Sequence, residues 1–103
     1  LSMYPRPTAI IAADDALAIG ALKAVADNRI RVPEEISITG FDDIELASYT
    51  CPSLTTVRQP LDAMIKKALE ILLAHIEGNS SSQEDEFTAI KPELIIRAST
   101  SSI

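Results

Sequence analysis

The chain has 103 residues, enough for one domain, with 47% apolar and 23% charged residues in the ordinary balance of a soluble globular protein. Nine Lys and Arg against fifteen Asp and Glu give a net charge of −6, which excludes a free-standing nucleic-acid binder, because displacing counterions from phosphates needs clustered cations. A single cysteine, Cys51, excludes an internal disulfide and fits a reducing compartment, and no apolar run approaches the ~20 residues that span a bilayer.

Leu1–Pro7 has turn character, with Pro5 and Pro7 flanking Arg6, and no basic-then-apolar leader opens the chain. Thr8–Ala13 (TAIIAA) is a short continuous apolar run that ends in Asp14 and Asp15, the pattern of a strand buried on both faces of a parallel sheet. Asp15 is expected to cap a helix over Ala16–Asn28. In that helix Leu17, Ala21, Ala24 and Val25 share a face, and Ile19, Leu22 and Ala26 widen the apolar surface. Val32-Pro33-Glu34-Glu35 turns the chain into a second β-rich run, Ile36–Gly40, which again ends in acid after Phe41, at Asp42 and Asp43. Strand, helix and strand in about thirty residues imply a right-handed parallel crossover.

Ile44–Ser53 has no clean period and is expected to form a short helix or an irregular loop. Leu54–Gln59, between Pro52 and Pro60, is a third candidate strand. Pro60 then suits the start of a helix over Leu61–Glu77, with Gly78 as its stop. The apolar stripe of that helix is wider than one sheet contact requires. Asn79–Glu86 is expected to be a polar mobile loop, Phe87–Ile90 and Glu93–Ala98 two closing strands, and the last five residues polar enough to fray. The fold class that emerges is α/β, a parallel-sheet sandwich without internal repeats.

Two strands thus end in paired acids, and open α/β sheets gather ligands at the carboxyl ends of their strands. Carboxylates there accept hydrogen bonds from neighbouring hydroxyls, as a polyol or sugar requires, or hold a hard cation such as magnesium. The plainer alternative is that the acids are helix caps and turn residues. Catalysis finds little support. His75 is expected on a helix surface, Cys51 has no histidine near it in sequence, and Gly20, Gly40 and Gly78 are isolated, so no phosphate loop is formed. Neither a metal site nor a cofactor is expected. A phosphoryl-accepting receiver is imitated by Asp14-Asp15, Asp42, Thr55 or Thr56 and Lys91-Pro92. Only 28 residues separate Asp14 from Asp42, too few for the elements that intervene in a receiver.

The strings PTAIIAADDALAIGALKA, RVPEEISITGFDD and SLTTVRQP, with the closing ELIIRAST, resemble the lactose/galactose-repressor (LacI/GalR) family of bacterial transcription regulators. The resemblance covers nearly the whole chain in family order. It implies a periplasmic-binding-protein-like (type I) effector domain of two α/β lobes with a ligand cleft between them. This chain would supply the carboxy-terminal part of that domain, a single incomplete lobe. A helix-turn-helix outside this sequence would contact operator DNA, and a sugar-like or nucleoside-like effector would control it, in a cytoplasmic protein without membrane attachment. A sugar-transport solute-binding protein is the alternative, as it shares the fold.

By position, Asp14 is similar to the first residue of the family's Asn-Asp pair, although Asp in place of Asn leaves only acceptor capacity at neutral pH. Asp42 resembles the first acid of the aromatic-Asp-Asp turn that hydrogen-bonds effectors. Gln59 resembles a crossover residue near the cleft. Asp15 and Asp43 are left with capping and turn roles. The resemblance implies a homodimer interface that includes Ile19, Leu22, Tyr49 and Thr50, with internal packing an equal alternative for Leu22. Ile65 departs from the family's usual glycine. The helix over Leu61–Glu77 would pack on the other lobe. Alone, its stripe is expected to drive dimerisation or element swapping, because each buried Leu or Ile is worth ~1.5–3 kcal/mol.

Overall fold

The computed structural model describes residues 2–78 and 89–103. The chain divides into two compact units, Leu1–Arg58 with Leu94–Ile103, and Gln59–Glu93. The expected loop Asn79–Glu86 lies outside the described residues, as do the first two residues of the expected strand Phe87–Ile90. Ala89 and Ile90 carry no regular structure.

In the first unit β1 (Ala9–Ile11) and β2 (Ser37–Thr39) pair in parallel, with Ala9 opposite Ser37 and Ile11 opposite Thr39. Helix α1 (Asp15–Asp27) connects them. Alternation along paired strands puts Ile10 and Ile38 on one face. There, Ile36, Ile38, Ala18, Leu22, Val25, Ile30, Ala47 and Leu54 form the buried core, with Ile10, Ala12, Ala21 and Val32 packed against it. The opposite face is open at β1, where Ile11 is 86% exposed. Burial of this strand on both faces is therefore not found. An unbroken apolar run cannot tell a doubly covered strand from one with a single covered face.

Helix α1 stops before Pro33 by a mechanism of its own. Arg29 enters the left-handed region at φ 57, its amide donates to Ala26 O, and the Ile30 amide reaches back to Val25 O. The 6→1 and 5→2 bonds of a Schellman stop are both present, with Arg in the position that glycine usually takes, and Val25 and Ile30 both belong to the core.

A short 3-10 helix spans Glu45–Ser48, as the unperiodic segment allowed. Strand β3 (Thr56–Arg58) pairs with β4 (Glu93–Ile95) in a second two-stranded sheet. A parallel bridge between Thr39 and Thr55 joins β3's approach to β2. The carboxy-terminal stretch continues that edge. Ile38 N donates to Ser99 O, and the fully buried Ser99 hydroxyl donates to Ile38 O while accepting from Thr55 N. The Ser101 amide donates to Ser37 Oγ. Fraying of the last five residues is thus corrected at Ser99–Ser101, because polar side chains there satisfy strand-edge groups.

In the second unit α2 (Leu61–Ile76) follows Pro60 directly, and Gly78 closes it at φ 75. Asp62 in the first turn complements its dipole. None of its sixteen residues is buried, and Leu61, Ile65, Leu69, Leu72, Leu73 and Ile76 are each more than half exposed.

Two glycines make opposite tests of this packing. A Cβ on Gly40 would collide with the Asp15 carboxyl and come within 3.1 Å of both Asp15 Cα and Leu54 Cδ2, whereas Gly20 has nothing within 4 Å. Gly40→Ala is expected to lower stability by roughly 1–3 kcal/mol. Gly20→Ala, at an exposed position inside α1, is expected to raise it by about 0.5–1 kcal/mol. Urea denaturation of both variants reads the two signs.

Candidate ligand site at the carboxyl ends of the strands

The acids that follow β1 and β2 lie at the same end of the parallel pair, and backbone bonds lace their loops together. Ala12 N donates to Thr39 O, and Asp15 N donates to Phe41 O, both at 2.9 Å. On the other side of β2, Gly40 N reaches Thr55 O and Asp42 N reaches Val57 O, also at 2.9 Å. These bonds set the backbone at Asp14 and Asp42 at the same end of the parallel pair. Gln59 belongs to the second unit, where it is half-buried and its carbonyl accepts from Leu61 N.

The capping role expected of the second acid after β1 falls to the first. Asp14, not Asp15, caps α1, its Oδ1 accepting from Leu17 N at 2.8 Å. Asp15 is fully buried as the first residue of the helix. Its Oδ1 accepts from the Thr56 hydroxyl at 2.6 Å and its Oδ2 from the Ile44 amide at 2.8 Å. Capping leaves Asp14 partly exposed at that end, with a second carboxyl oxygen that geometry does not assign to the cap.

Asp42 and Asp43 occupy the left-handed region at φ 109 and φ 54. Asp tolerates φ near 54 better than most residues, but φ 109 is a strained setting that costs of order 1–3 kcal/mol and persists only where neighbours impose it. Those neighbours converge on Asp43. Its amide donates to Thr56 Oγ1 at 3.3 Å, and its carboxylate takes Arg58 Nε and Arg97 Nη2, each at 2.7 Å. The Asp43 side chain is only 7% exposed. Burial alone pushes its carboxyl up, but the two arginines outweigh that and hold it below the usual carboxylate range.

Asp43 is therefore more than a turn residue. Arg58 and Arg97 were absent from the sequence candidates, and Thr56 entered only through the rejected receiver pattern. A signal existed for Arg97, a lone cation after the apolar run Leu94-Ile95-Ile96. Its partner is 54 positions away and has no local trace.

The residues implied at a dimer interface fall in different settings. Leu22 is in the core at 8% exposure, where internal packing accounts for it. Ile19 and Thr50 are half-buried, the Thr50 hydroxyl donating to Ala47 O. Tyr49 is 72% exposed. Among the described residues no group of three or more His, Cys, Asp or Glu gathers as a metal site would, and no helix is long and apolar enough to cross a membrane.

Parallel strands that present acids at their carboxyl ends, over a core that one helix covers, make up part of a lobe of a small-molecule-binding α/β fold. Residues 1–100 match the periplasmic binding protein-like domain. The chain belongs to that family, as the carboxy-terminal part of an effector domain of the LacI/GalR type. Over 96 residues it is 40% identical to the HTH-type transcriptional repressor PurR of Vibrio parahaemolyticus, which covers 93% of this chain and 28% of that protein. It superposes on a LacI-family regulatory protein from Chloroflexus aggregans with a TM-score of 0.84 and 38% identity, over 98% of this chain and 35% of that one. A LacI family transcriptional regulator from Arthrobacter sp. FB24, in complex with lactose, gives a TM-score of 0.84 and 33% identity, over 95% and 37%. The chain spans less than a third of the length of the curated PurR relatives it matches.

The Asp43 cluster makes stability fall in acid. Because its folded pKa lies below the ordinary value of about 3.9, the stabilisation is present above that value and is lost as pH falls through the folded one. Asp43→Asn is expected to cost about 1.5–3 kcal/mol at pH 7. The gap between variant and parent should narrow below about pH 4. Urea titrations at the two pH values measure it, and an equal gap at both would contradict the role given to the charge.

Proposed function

We propose that this chain is the effector-sensing and dimerisation part of a LacI-type DNA-binding transcription regulator. A sugar-like or nucleoside-like molecule would control DNA binding through a helix-turn-helix of the kind its relatives' names record. The single observation that carries this is the Asp15 N to Phe41 O bond, which ties the acid-bearing loops after β1 and β2 together at one end of the parallel pair. Carboxylates so placed accept hydrogen bonds from hydroxyls or ring N–H groups. The lactose bound by the Arthrobacter relative supports a ligand of this chemistry.

Asp42 is the principal effector contact, Asp14 a second acceptor, and Gln59 a subsidiary one. Relatives named as transcription regulators favour this reading over a transport protein, a receiver or an enzyme. Effector binding would close two lobes and shift the equilibrium between DNA-binding states. The protein would act in the cytoplasm, as a homodimer. Exposed Tyr49, with Leu46 and Leu17 also more than half exposed, supports a partner surface that includes Ile19 and Thr50, and Leu22 would stiffen it from beneath. The uncovered stripe of α2 supports self-association of the chain when it is isolated.

Isothermal titration of the full-length regulator with a panel of sugars, nucleosides and purine bases tests the site. One class is expected to bind, and Asp42→Ala to weaken it at least about tenfold, the loss of a charge-assisted hydrogen bond. Unchanged affinity in that variant removes Asp42 from the site, and Gln59→Ala in the same titration tests the family-derived role of that residue.

A further inference from the structure

The turn that carries Asp42 is held by charges from two distant stretches of chain. Asp43 sits at φ 54 and Asp42 at φ 109, and the second is a backbone setting that L side chains leave unless neighbours retain them. Between Arg58, at the end of β3, and Arg97, near the carboxy terminus, the Asp43 carboxylate receives one nitrogen from each guanidinium at 2.7 Å. Arg97 is itself fixed. Its Nη1 donates to Leu54 O at 3.0 Å and its amide donates to Thr55 Oγ1 at 2.9 Å, and its side chain is 17% exposed. A planar guanidinium tied at two nitrogens has little freedom left, so it transmits position as well as charge. The Asp43 amide is anchored separately, on the Thr56 hydroxyl that also serves Asp15.

We propose that Asp43, clasped by Arg97 and Arg58, is a positioning residue for effector recognition: it fixes the Asp42–Asp43 turn and so sets how Asp42 is presented, resting on the reading of Asp42 as an effector contact. Asp43 touches no effector and acts through the backbone alone. The clasp also makes the carboxy-terminal stretch part of the site's scaffold, since Arg97 comes from it.

Amide hydrogen exchange of the isotopically labelled chain, resolved residue by residue and read without ligand, tests this. In Arg97→Gln and in Asp43→Asn, exchange at residues 42 and 43 is expected to quicken at least tenfold, and the Asp42 carboxyl carbon resonance to move. The amides of Leu22 and Val25 in α1 should stay within twofold. Unchanged rates at residues 42 and 43 would overturn the proposal, and so would an equal acceleration in α1, which is general loss of stability. If Arg97→Gln fails to fold, Arg58→Gln, whose guanidinium is half exposed, gives the same comparison: a rise of at least threefold at residue 43 supports the clasp and none overturns it. Because no effector enters, a failure here is distinct from a failure of Asp42→Ala to change effector affinity.

Discussion

The carboxyl group of Asp15 is the joint on which the ligand-facing end of the first unit depends. It is buried completely, and its two oxygens accept from chain segments that lie 29 and 41 positions further on. Its own amide bonds to Phe41 O, so one residue ties the loop after β1 to the loop after β2 and to β3. Replacing it with an apolar residue would leave the buried Thr56 hydroxyl without its acceptor, a cost of about 1–3 kcal/mol, and would free the part-buried Ile44 amide as well. Gly40 is the space that makes the joint feasible, since any side chain there would occupy the volume of the Asp15 carboxyl.

From that joint the polar network runs outward in one direction. Thr56 donates to Asp15 and accepts from the Asp43 amide, Asp43 pairs with Arg58 and Arg97, and Arg97 binds Leu54 O and Thr55. Ser99 then fastens the same stretch of chain to β2. Every link has its donor and acceptor matched, and among the described residues no buried side-chain nitrogen or oxygen lacks a partner. A network satisfied throughout specifies one arrangement, because any slip would strand a polar group in low dielectric. The strained φ of Asp42 is maintained by this redundancy.

Much of this was legible in the sequence, and the parts that were not share a cause. The strand–helix–strand unit, the acid-tipped strand ends and the stop of α2 at Gly78 all follow from patterns within about ten residues. The assignment of the cap to Asp15 failed by one position. Either acid suits an N-cap locally, and the deciding fact is that Gly40 and Thr56, far along the chain, make a buried berth for the second. Ser99 and Ser101 look like a fraying tail until β2 supplies the edge that they satisfy. The apolar run at Thr8–Ala13 indicates a strand but not how many of its faces are covered. Arg97 stood out only as a lone cation after an apolar run, and ion pairs spanning 15 and 54 positions leave no local pattern that points from either arginine to Asp43. What the family resemblance contributed, and residue chemistry did not, was the choice of Asp42 over its neighbours.

The most direct test of the joint is a double-mutant cycle on Asp15→Ala and Thr56→Val, with unfolding free energies taken from urea titrations of the four proteins. A hydrogen bond of 2.6 Å between buried partners predicts a coupling free energy of at least about 1 kcal/mol. Additive single effects, within about 0.3–0.5 kcal/mol, would show that the two residues act independently. In that case Asp15 would not be what holds the ends of the strands together.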